Sequence, residues 1–162
     1  MNIQKIAVQL FNSSPSKIRK VIYRLCRVNT NNADIRDNVM ISQPNNLLFG
    51  KNVLINCNSS FVFGAGDSSI VLGDNVQIGP SCVFTTISHD YSDPIKRAGT
   101  ITYKNIIVGR GSWICSSCTI LPGVTIGKGC VIAAGSVVNK NIPDNQLWGG
   151  VPAHFIKELP TA

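Results

Sequence analysis

Residues 108–137 read VGRGSW ICSSCT ILPGVT IGKGCV IAAGSV, and Val138 follows. An aliphatic residue returns at every sixth position of this stretch, and the fourth residue after it is small or of medium size. Side chains alternate between the two faces of a strand, so an even repeat of six returns each aliphatic residue to the same face. A helix would need a spacing near 3.6 residues, which the stretch lacks. The column consists of Val108, Ile114, Ile120, Ile126, Ile132 and Val138.

Less regular copies of the same pattern come earlier in the chain. They occupy residues 35–40, 49–61 and 72–84, and the phase breaks between them. Glycine and asparagine recur where short strands would have to bend. Stacked repeats of this kind predict an all-β solenoid, a parallel β-helix with aliphatic columns inside and insertions between its early coils.

The composition suits one folded domain and excludes several function classes. The chain has 162 residues, of which 44% are hydrophobic and 14% charged. It shows neither a run of about 18 apolar residues nor a signal peptide, so we expect a cytoplasmic protein. The net charge is +7, but no basic stripe is interleaved with aromatics, which argues against nucleic acid as a partner. An anionic small molecule or membrane surface fits the charge better.

The two ends of the chain depart from the repeat. Residues 1–34 show apolar spacings of three and four, and we expect an N-terminal helical cap over the first coil. A basic amphipathic surface that makes peripheral contact with a membrane or a lipid-linked glycan is the alternative. The β-helix is assigned to residues 35–140. Residues 141–162 contain three prolines and are predicted to leave the repeat as a C-terminal tail with a short helix after Pro152.

Six cysteines raise the question of disulfides or metal. Cys115 and Cys118 form a C-x-x-C pair, which a redox centre or a zinc site could use. Structural zinc needs about four ligands, and no second pair accompanies this one. The competing interpretation is that Cys82, Cys118 and Cys130 occupy the fourth position of their repeats as small hydrophobic residues. We therefore predict no metal.

His89 is the best candidate for a catalytic group. The chain has two histidines, His89 and His154, and imidazole is the natural general base near neutral pH. His89 begins the one large interruption of the repeat, and polar residues occupy the expected column positions there. Residues 85–107 must therefore leave the coil as an extruded loop, and loops on rigid scaffolds often carry function.

The repeat, the stretch SHDYSDP from Ser88 and the stretch GGVPAHFIKEL from Gly149 together resemble the hexapeptide-repeat acyltransferases. The resemblance covers about residues 35–157. It is most specific for the sugar O-acetyltransferases, which include maltose, galactoside, colanic-acid and capsule enzymes. It implies a left-handed β-helix, a homotrimer with active sites between chains, acetyl-CoA as co-substrate and a hydroxyl of a sugar or cell-surface polysaccharide as acceptor. The family's catalytic histidine falls on His89.

The resemblance also implies binding residues, carried over by position in the repeat. On the acceptor side these are Asn56 and Trp113, with Asp93 in the HDYSDP stretch. On the acetyl-CoA side they are Ser116, with its backbone N–H as an oxyanion donor, and Ala134, Asn139, Lys140, His154 and Lys157. The chain departs from the family pattern at Cys115, Asn139 and His154, where glycine, threonine and arginine are usual.

Several simpler interpretations stay open. Asp90 and Asp93 could orient the His89 ring or only cap the turn before Pro94. Asn56 could be a turn residue, Trp113 could pack between chains, and the lysines could be solvated. Transfer to the amine of an amino sugar, to serine or to an antibiotic is an alternative reaction, and a non-catalytic β-helix used for assembly is another class. A carbonic anhydrase on the same fold would need three zinc-binding histidines, and the chain has two.

Overall fold

The computed structural model describes residues 29–64 and 66–161. Its strands are β1 (Asp34–Ile35), β2 (Met40–Ile41), β3 (Leu47–Phe49), β4 (Leu54–Ile55), β5 (Ser60–Val62), β6 (Ile70–Leu72), β7 (Gln77–Ile78), β8 (Val83–Thr85), β9 (Ile87–His89), β10 (Ile101–Tyr103), β11 (Ile106–Val108), β12 (Trp113–Ile114), β13 (Thr119–Ile120), β14 (Thr125–Ile126), β15 (Val131–Ile132), β16 (Val137–Val138), β17 (Gln146–Gly149) and β18 (His154–Glu158). A 3-10 turn, Pro44–Asn46, precedes β3.

Three sheets form the three faces of the solenoid, and their strands pair in parallel except for β17 with β18. The first face has the order β1-β4-β7-β12-β15-β17-β18, the second β2-β5-β8-β13-β16 and the third β3-β6-β11-β14. The chain visits the faces in turn, so each circuit makes one coil and each strand pairs with the strands one coil away. The predicted parallel β-solenoid is confirmed. The predicted N-terminal helical cap falls mostly on residues 1–28, which lie outside the described residues, and β1 already begins at Asp34.

The predicted aliphatic column forms the core. All six of its members, from Val108 to Val138, are at most 1% exposed. Phe61 and Phe84 fill the same interior line in the earlier coils, with their rings stacked 4.9 Å apart. A fully buried side chain of this size contributes about 1.5–3 kcal/mol by its removal from water. The six-residue period therefore exists because it keeps one large side chain per strand in this interior.

Eleven corners between faces turn through a residue in the left-handed region, which stands directly before a buried interior residue in every case except Asn145. Asparagine serves at most of these positions in the early coils and glycine at most of those in the later coils, with serine at two positions and asparagine again at the last one. Asparagine and glycine tolerate positive φ best, which explains their recurrence in the repeat. The corner residues are Asn38, Asn52, Asn58, Asn75, Ser81, Gly111, Ser117, Gly123, Gly129, Gly135 and Asn145.

The small interior residues at the corners are donors as well as fillers. The Cys82 thiol donates to the Cys115 carbonyl at 3.0 Å, and Cys118 donates to Ala133 O at 3.1 Å. Cys130 donates to Pro143 O at 3.0 Å, as the hydroxyl of Ser112 does to Gly127 O at 2.8 Å. Cysteine at this position is thus more than a small hydrophobic residue, because its thiol bonds a carbonyl of the next coil.

The C-terminal segment differs from the prediction. Ile142 is buried and bridges Ile126, and β17 pairs in parallel with β15, so the coil continues past residue 140. Residues 154–158 form β18, antiparallel to β17, where a short helix was predicted. The prolines do not interrupt the hydrogen bonds of these strands, because Pro143 lies in a corner and Pro152 in the turn before β18. Both places tolerate the missing N–H.

Candidate functional site

His89 lies at the end of β9, in a two-stranded hairpin that leaves the coil between β8 and β11. β9 and β10 pair antiparallel, with His89 opposite Ile101. The side chain is exposed, and its Nδ1 lies 3.1 Å from the carbonyl oxygen of Gly99. The carbonyl can only accept, so Nδ1 carries the proton and Nε2 is left with its lone pair free for a base.

The carboxylates of the hairpin turn cap the turn. Asp90 accepts from the backbone and hydroxyl of Ser92, at 2.9 and 3.1 Å, and these bonds lower the pKa of its carboxyl. Asp93 accepts from the N–H groups of Ile95 and Lys96, at 2.8 and 3.3 Å. The interpretation that these residues orient the His89 ring is wrong, because the ring is held by Gly99. A backbone carbonyl leaves no signal in the sequence, and this contact was missed for that reason.

Ser116 and Ala134 stack at one corner, between the first and second faces. The Gly135 N–H donates to Ser116 O at 2.9 Å, which places the two turns in register. Within the described part of the chain, no protein acceptor is assigned to the N–H of either Ser116 or Ala134. The equivalent position two coils earlier is Cys57, whose N–H is satisfied by the side chain of Asn56 at 2.8 Å. Two neighbouring backbone donors are therefore available to a ligand at this corner.

Asn56 and Trp113 lie on or beside the first face. The side-chain oxygen of Asn56 caps its own corner, which agrees with the interpretation of a turn residue. Trp113 is in β12, pairs with Gln77 and Val131, and is 52% exposed. A tryptophan this open on a flat sheet suits contact with another chain or with a sugar.

The candidate phosphate contacts gather at the C-terminal end of the solenoid. Lys140 places its Nζ 5.2 Å from the centre of the Trp148 ring, while Asn139 beside it is exposed. His154 and Lys157 both lie on β18 and are exposed, opposite Gly149 and Leu147. The three basic side chains thus belong to the last turn and its antiparallel strand, although no contact joins them directly.

The candidate residues lie at different places around the solenoid of the described chain. His89 stands on the hairpin at the corner between the second and third faces. Ser116 and Ala134 stand at the corner between the first and second faces, and Trp113 on the first face. Within the described residues no hydrogen bond links the hairpin to Asn56, Trp113, Ser116 or Ala134.

The cysteines of the described residues are single thiols set into the turns of the coil. No group of three or more His, Cys, Asp or Glu side chains converges within residues 29–64 and 66–161. Cys118 points into the core, and the half-buried Cys115 has a pKa raised by burial. Cysteines 57, 82, 115, 118 and 130 are free thiols. Among the described residues no helix is long and apolar enough to cross a membrane.

Known proteins resemble this chain in sequence. Residues 105–140 match the family model described as bacterial transferase hexapeptide (six repeats). Galactoside O-acetyltransferase of Escherichia coli is 34% identical over 151 residues, which cover 91% of this chain and 73% of that protein. The chain belongs to the hexapeptide-repeat acyltransferases.

Two solved structures of hexapeptide-repeat acyltransferases show the same fold. A hexapeptide-repeat acetyltransferase from Vibrio cholerae, complexed with acetyl coenzyme A, has a TM-score of 0.84 at 28% identity, over 97% of this chain and 85% of that one. A galactoside acetyltransferase in complex with coenzyme A has a TM-score of 0.81 at 31% identity, over 96% and 78%. These neighbours imply that the solenoid is a left-handed β-helix, as the resemblance predicted. The relatives named as galactoside acetyltransferases also agree with the predicted sugar O-acetyltransferase branch of the family.

Proposed function

We propose that this protein transfers the acetyl group of acetyl-CoA to a hydroxyl of a sugar or a cell-surface glycan, with His89 as general base. The observation that carries the proposal is the bond of 3.1 Å between His89 Nδ1 and Gly99 O. It fixes the tautomer in which Nε2 can accept a proton. The relatives named as galactoside O-acetyltransferases and the neighbours that hold acetyl-CoA or coenzyme A support the reaction class.

The reaction needs one proton carrier and one oxyanion donor. Nε2 of His89 takes the proton of the acceptor hydroxyl while the oxygen of that hydroxyl attacks the carbonyl carbon of the thioester. The oxyanion that forms accepts a bond from the N–H of Ser116, whose lack of a protein acceptor supports this role. When the C–S bond breaks, the imidazolium returns the proton to the thiolate of CoA. The products are the O-acetyl sugar and CoA, and the enzyme is unchanged.

The site is proposed to form between two chains of a homotrimer. His89 and the free N–H groups of Ser116 and Ala134 lie at different corners of the solenoid. A three-fold arrangement of parallel prisms would bring the hairpin of one chain to the first face of the next, where Trp113 is exposed. Acetyl-CoA would then follow that groove toward the basic C-terminal end, with Asn139, Lys140, His154 and Lys157 near its phosphates. Asn56 and Asp93 are proposed on the acceptor side.

The test of the base is His89→Ala. We expect turnover to fall by roughly 10²–10⁴, while the melting temperature stays nearly constant because the side chain is exposed. Steady-state kinetics with saturating acetyl-CoA and thermal unfolding measure the two effects. Near-normal turnover in a folded variant would remove His89 from the mechanism.

The acceptor is found by a screen of CoA release against neutral sugars, amino sugars and cell-surface glycans. We expect acetylation of a hydroxyl, identified by product mass and NMR. Acetylation of an amine instead would favour the N-acetyltransferase alternative, and no turnover together with no binding of acetyl-CoA by calorimetry would favour an assembly protein.

A further inference from the structure

We propose that Tyr103 is a positioning residue for His89, held by a glycine seat formed by Gly64 and Gly66. The inference rests on the proposed role of His89. Gly64 is buried, and a side chain built on it would overlap Cδ1 and Cε1 of the Tyr103 ring. A Cβ at Gly66 would lie 3.4 Å from Cδ2 of the same ring. The ring therefore packs against the backbone of Gly64 and lies beside Gly66.

The requirement for glycine at position 64 comes from the ring. Gly66 has a φ of +136°, which other residues rarely adopt, whereas Gly64 is outside that region. Alanine would therefore suit the backbone at position 64, and only Tyr103 excludes it. The glycine at position 64 thus leaves room for the ring of Tyr103, which lies 39 positions away in sequence (103 − 64), and the two residues form a specific tertiary contact.

The seat is fixed to the body of the solenoid. Gln43 Nε2 donates to the Gly64 carbonyl at 2.7 Å. The amide nitrogen of Asn46 bonds both Gln43 Oε1 and Ser68 O, each at 3.0 Å. Gln43 and the 3-10 turn of the first coil therefore hold the carbonyls of Gly64 and Ser68, on either side of Gly66, and the seat cannot follow the ring if the hairpin tilts.

Tyr103 transmits this fixed position to His89 through the hairpin. Tyr103 pairs with Ile87 and Ile101 pairs with His89, so Tyr103 and His89 project from the same face of the ladder. Two residues along a strand span about 6.6 Å. The hairpin beyond this point is exposed on every residue from 89 to 98. Its direction therefore depends on its base, where Tyr103 supplies a side-chain anchor beside the bond from Lys104 N to Thr86 O, 3.0 Å long.

Loss of the seat would let the hairpin pivot and move the imidazole. A displacement of about 1 Å at a reacting group can cost on the order of 100-fold in rate. We expect Tyr103→Ala and Gly64→Ala each to lower kcat by about 10–100-fold, with KM for acetyl-CoA little changed. Tyr103→Phe keeps the ring and is the matched control, with kcat expected within about two-fold of wild type.

A double variant separates the seat from general damage. In the Tyr103→Ala background, Gly64→Ala has no ring to displace, so we expect no further loss of kcat. If the two losses multiply instead, the contact does not act as a unit and the proposal is overturned. Tyr103→Ala only removes atoms, so it decides the matter alone should Gly64→Ala fail to fold.

Two readouts do not depend on turnover. Hydrogen exchange at the Asp90 and Gly99 amides, which bond Thr100 O and Asp90 O, should speed up in Tyr103→Ala while exchange in β12–β16 does not. The ¹⁵N shifts of the His89 imidazole should show loss of the single Nδ1–H tautomer. Unchanged exchange and unchanged shifts would overturn the seat. If both change but His89→Ala is active, the seat stands and the proposed base fails.

Discussion

Ser116 owes its proposed role to its backbone rather than to its side chain. Its carbonyl is bonded by Gly135, whereas its N–H has no assigned acceptor in residues 29–64 and 66–161. Pro80 occupies the equivalent corner position one coil earlier, and Ser117 N donates to its carbonyl at 2.9 Å. The corner therefore accommodates proline, which offers a way to delete one N–H group.

Ser116→Pro should lower kcat by about 10²–10³, the usual cost of one lost oxyanion donor. The fold should survive, because the same corner already contains Pro80. Steady-state kinetics and a thermal melt on the same sample measure both. Ser116→Ala keeps the N–H and is the control, and a full rate in Ser116→Pro would exclude this donor.

The buried Cys130 thiol should make stability depend on alkaline pH. Burial raises the pKa of Cys130 from its usual 9.0, so the unfolded chain releases this proton first as the pH rises. The contribution of the protonated Cys130 thiol to the free energy of unfolding is fully present below about pH 9 and is lost above it. Cys130→Ser keeps a hydrogen-bond donor at this position, as Ser112 does one coil earlier. We expect it to make the free energy of unfolding fall less steeply as the pH rises. Urea unfolding between pH 7 and 11 measures the free energy, and equal slopes for both proteins would contradict the assignment.

At the scale of the element, the hairpin β9–β10 shows what the sequence could and could not predict. The break in the six-residue rhythm after Phe84 located the excursion and its histidine. Pairing within the loop needed tertiary information, because Gly99 acts through its carbonyl and Tyr103 through a ring that meets Gly64. Neither contact follows from residue type. The strand β18 was missed because the prolines near it were taken to exclude a strand, although they lie in the turns.

Gly99→Ala should lower kcat about ten-fold or more through the hairpin. A Cβ at Gly99 would lie 2.8 Å from Asp90 O, so the loop must shift and carry with it the carbonyl that holds His89. Gly111→Ala is the control, because a Cβ there meets nothing within 4 Å and only the φ of +70° is strained. It should cost about 1 kcal/mol of stability and leave kcat intact. The reverse pattern, measured by kinetics and thermal melts, would contradict the role of Gly99.

At the scale of the whole molecule, the described chain presents half-sites. The hairpin corner carries the proposed base, and the corner of Ser116 and Ala134 carries the proposed donors. The repeat made this architecture predictable because its period fixes which residues stack, as the buried column from Val108 to Val138 shows. The same period says nothing about which corner of one chain faces which corner of another.

Two inactive variants should therefore restore activity when they are mixed. In a trimer co-assembled from equal amounts of His89→Ala and Ser116→Pro, a site is intact when one chain supplies His89 and its neighbour supplies Ser116. Purification on both tags keeps only mixed trimers, and each mixed trimer has one intact site out of three, so about a third of the wild-type activity should return. Co-expression with two affinity tags and kinetics on the doubly purified protein measure it. Mixed trimers without activity would place the whole site within one chain.

The direction of β18 affects whether further strands can be added at the C-terminal end of the solenoid. The open end of a parallel stack offers unpaired N–H and C=O groups, which invite a strand from another molecule and from there a fibre. On the first face the last strand runs antiparallel to its neighbour, and all five of its residues are exposed. A second molecule that docked there would meet a strand of the wrong direction to continue the six-residue register. The final turn of the fold thus ends the parallel register of the first face, so a further coil could not be added there in the same register.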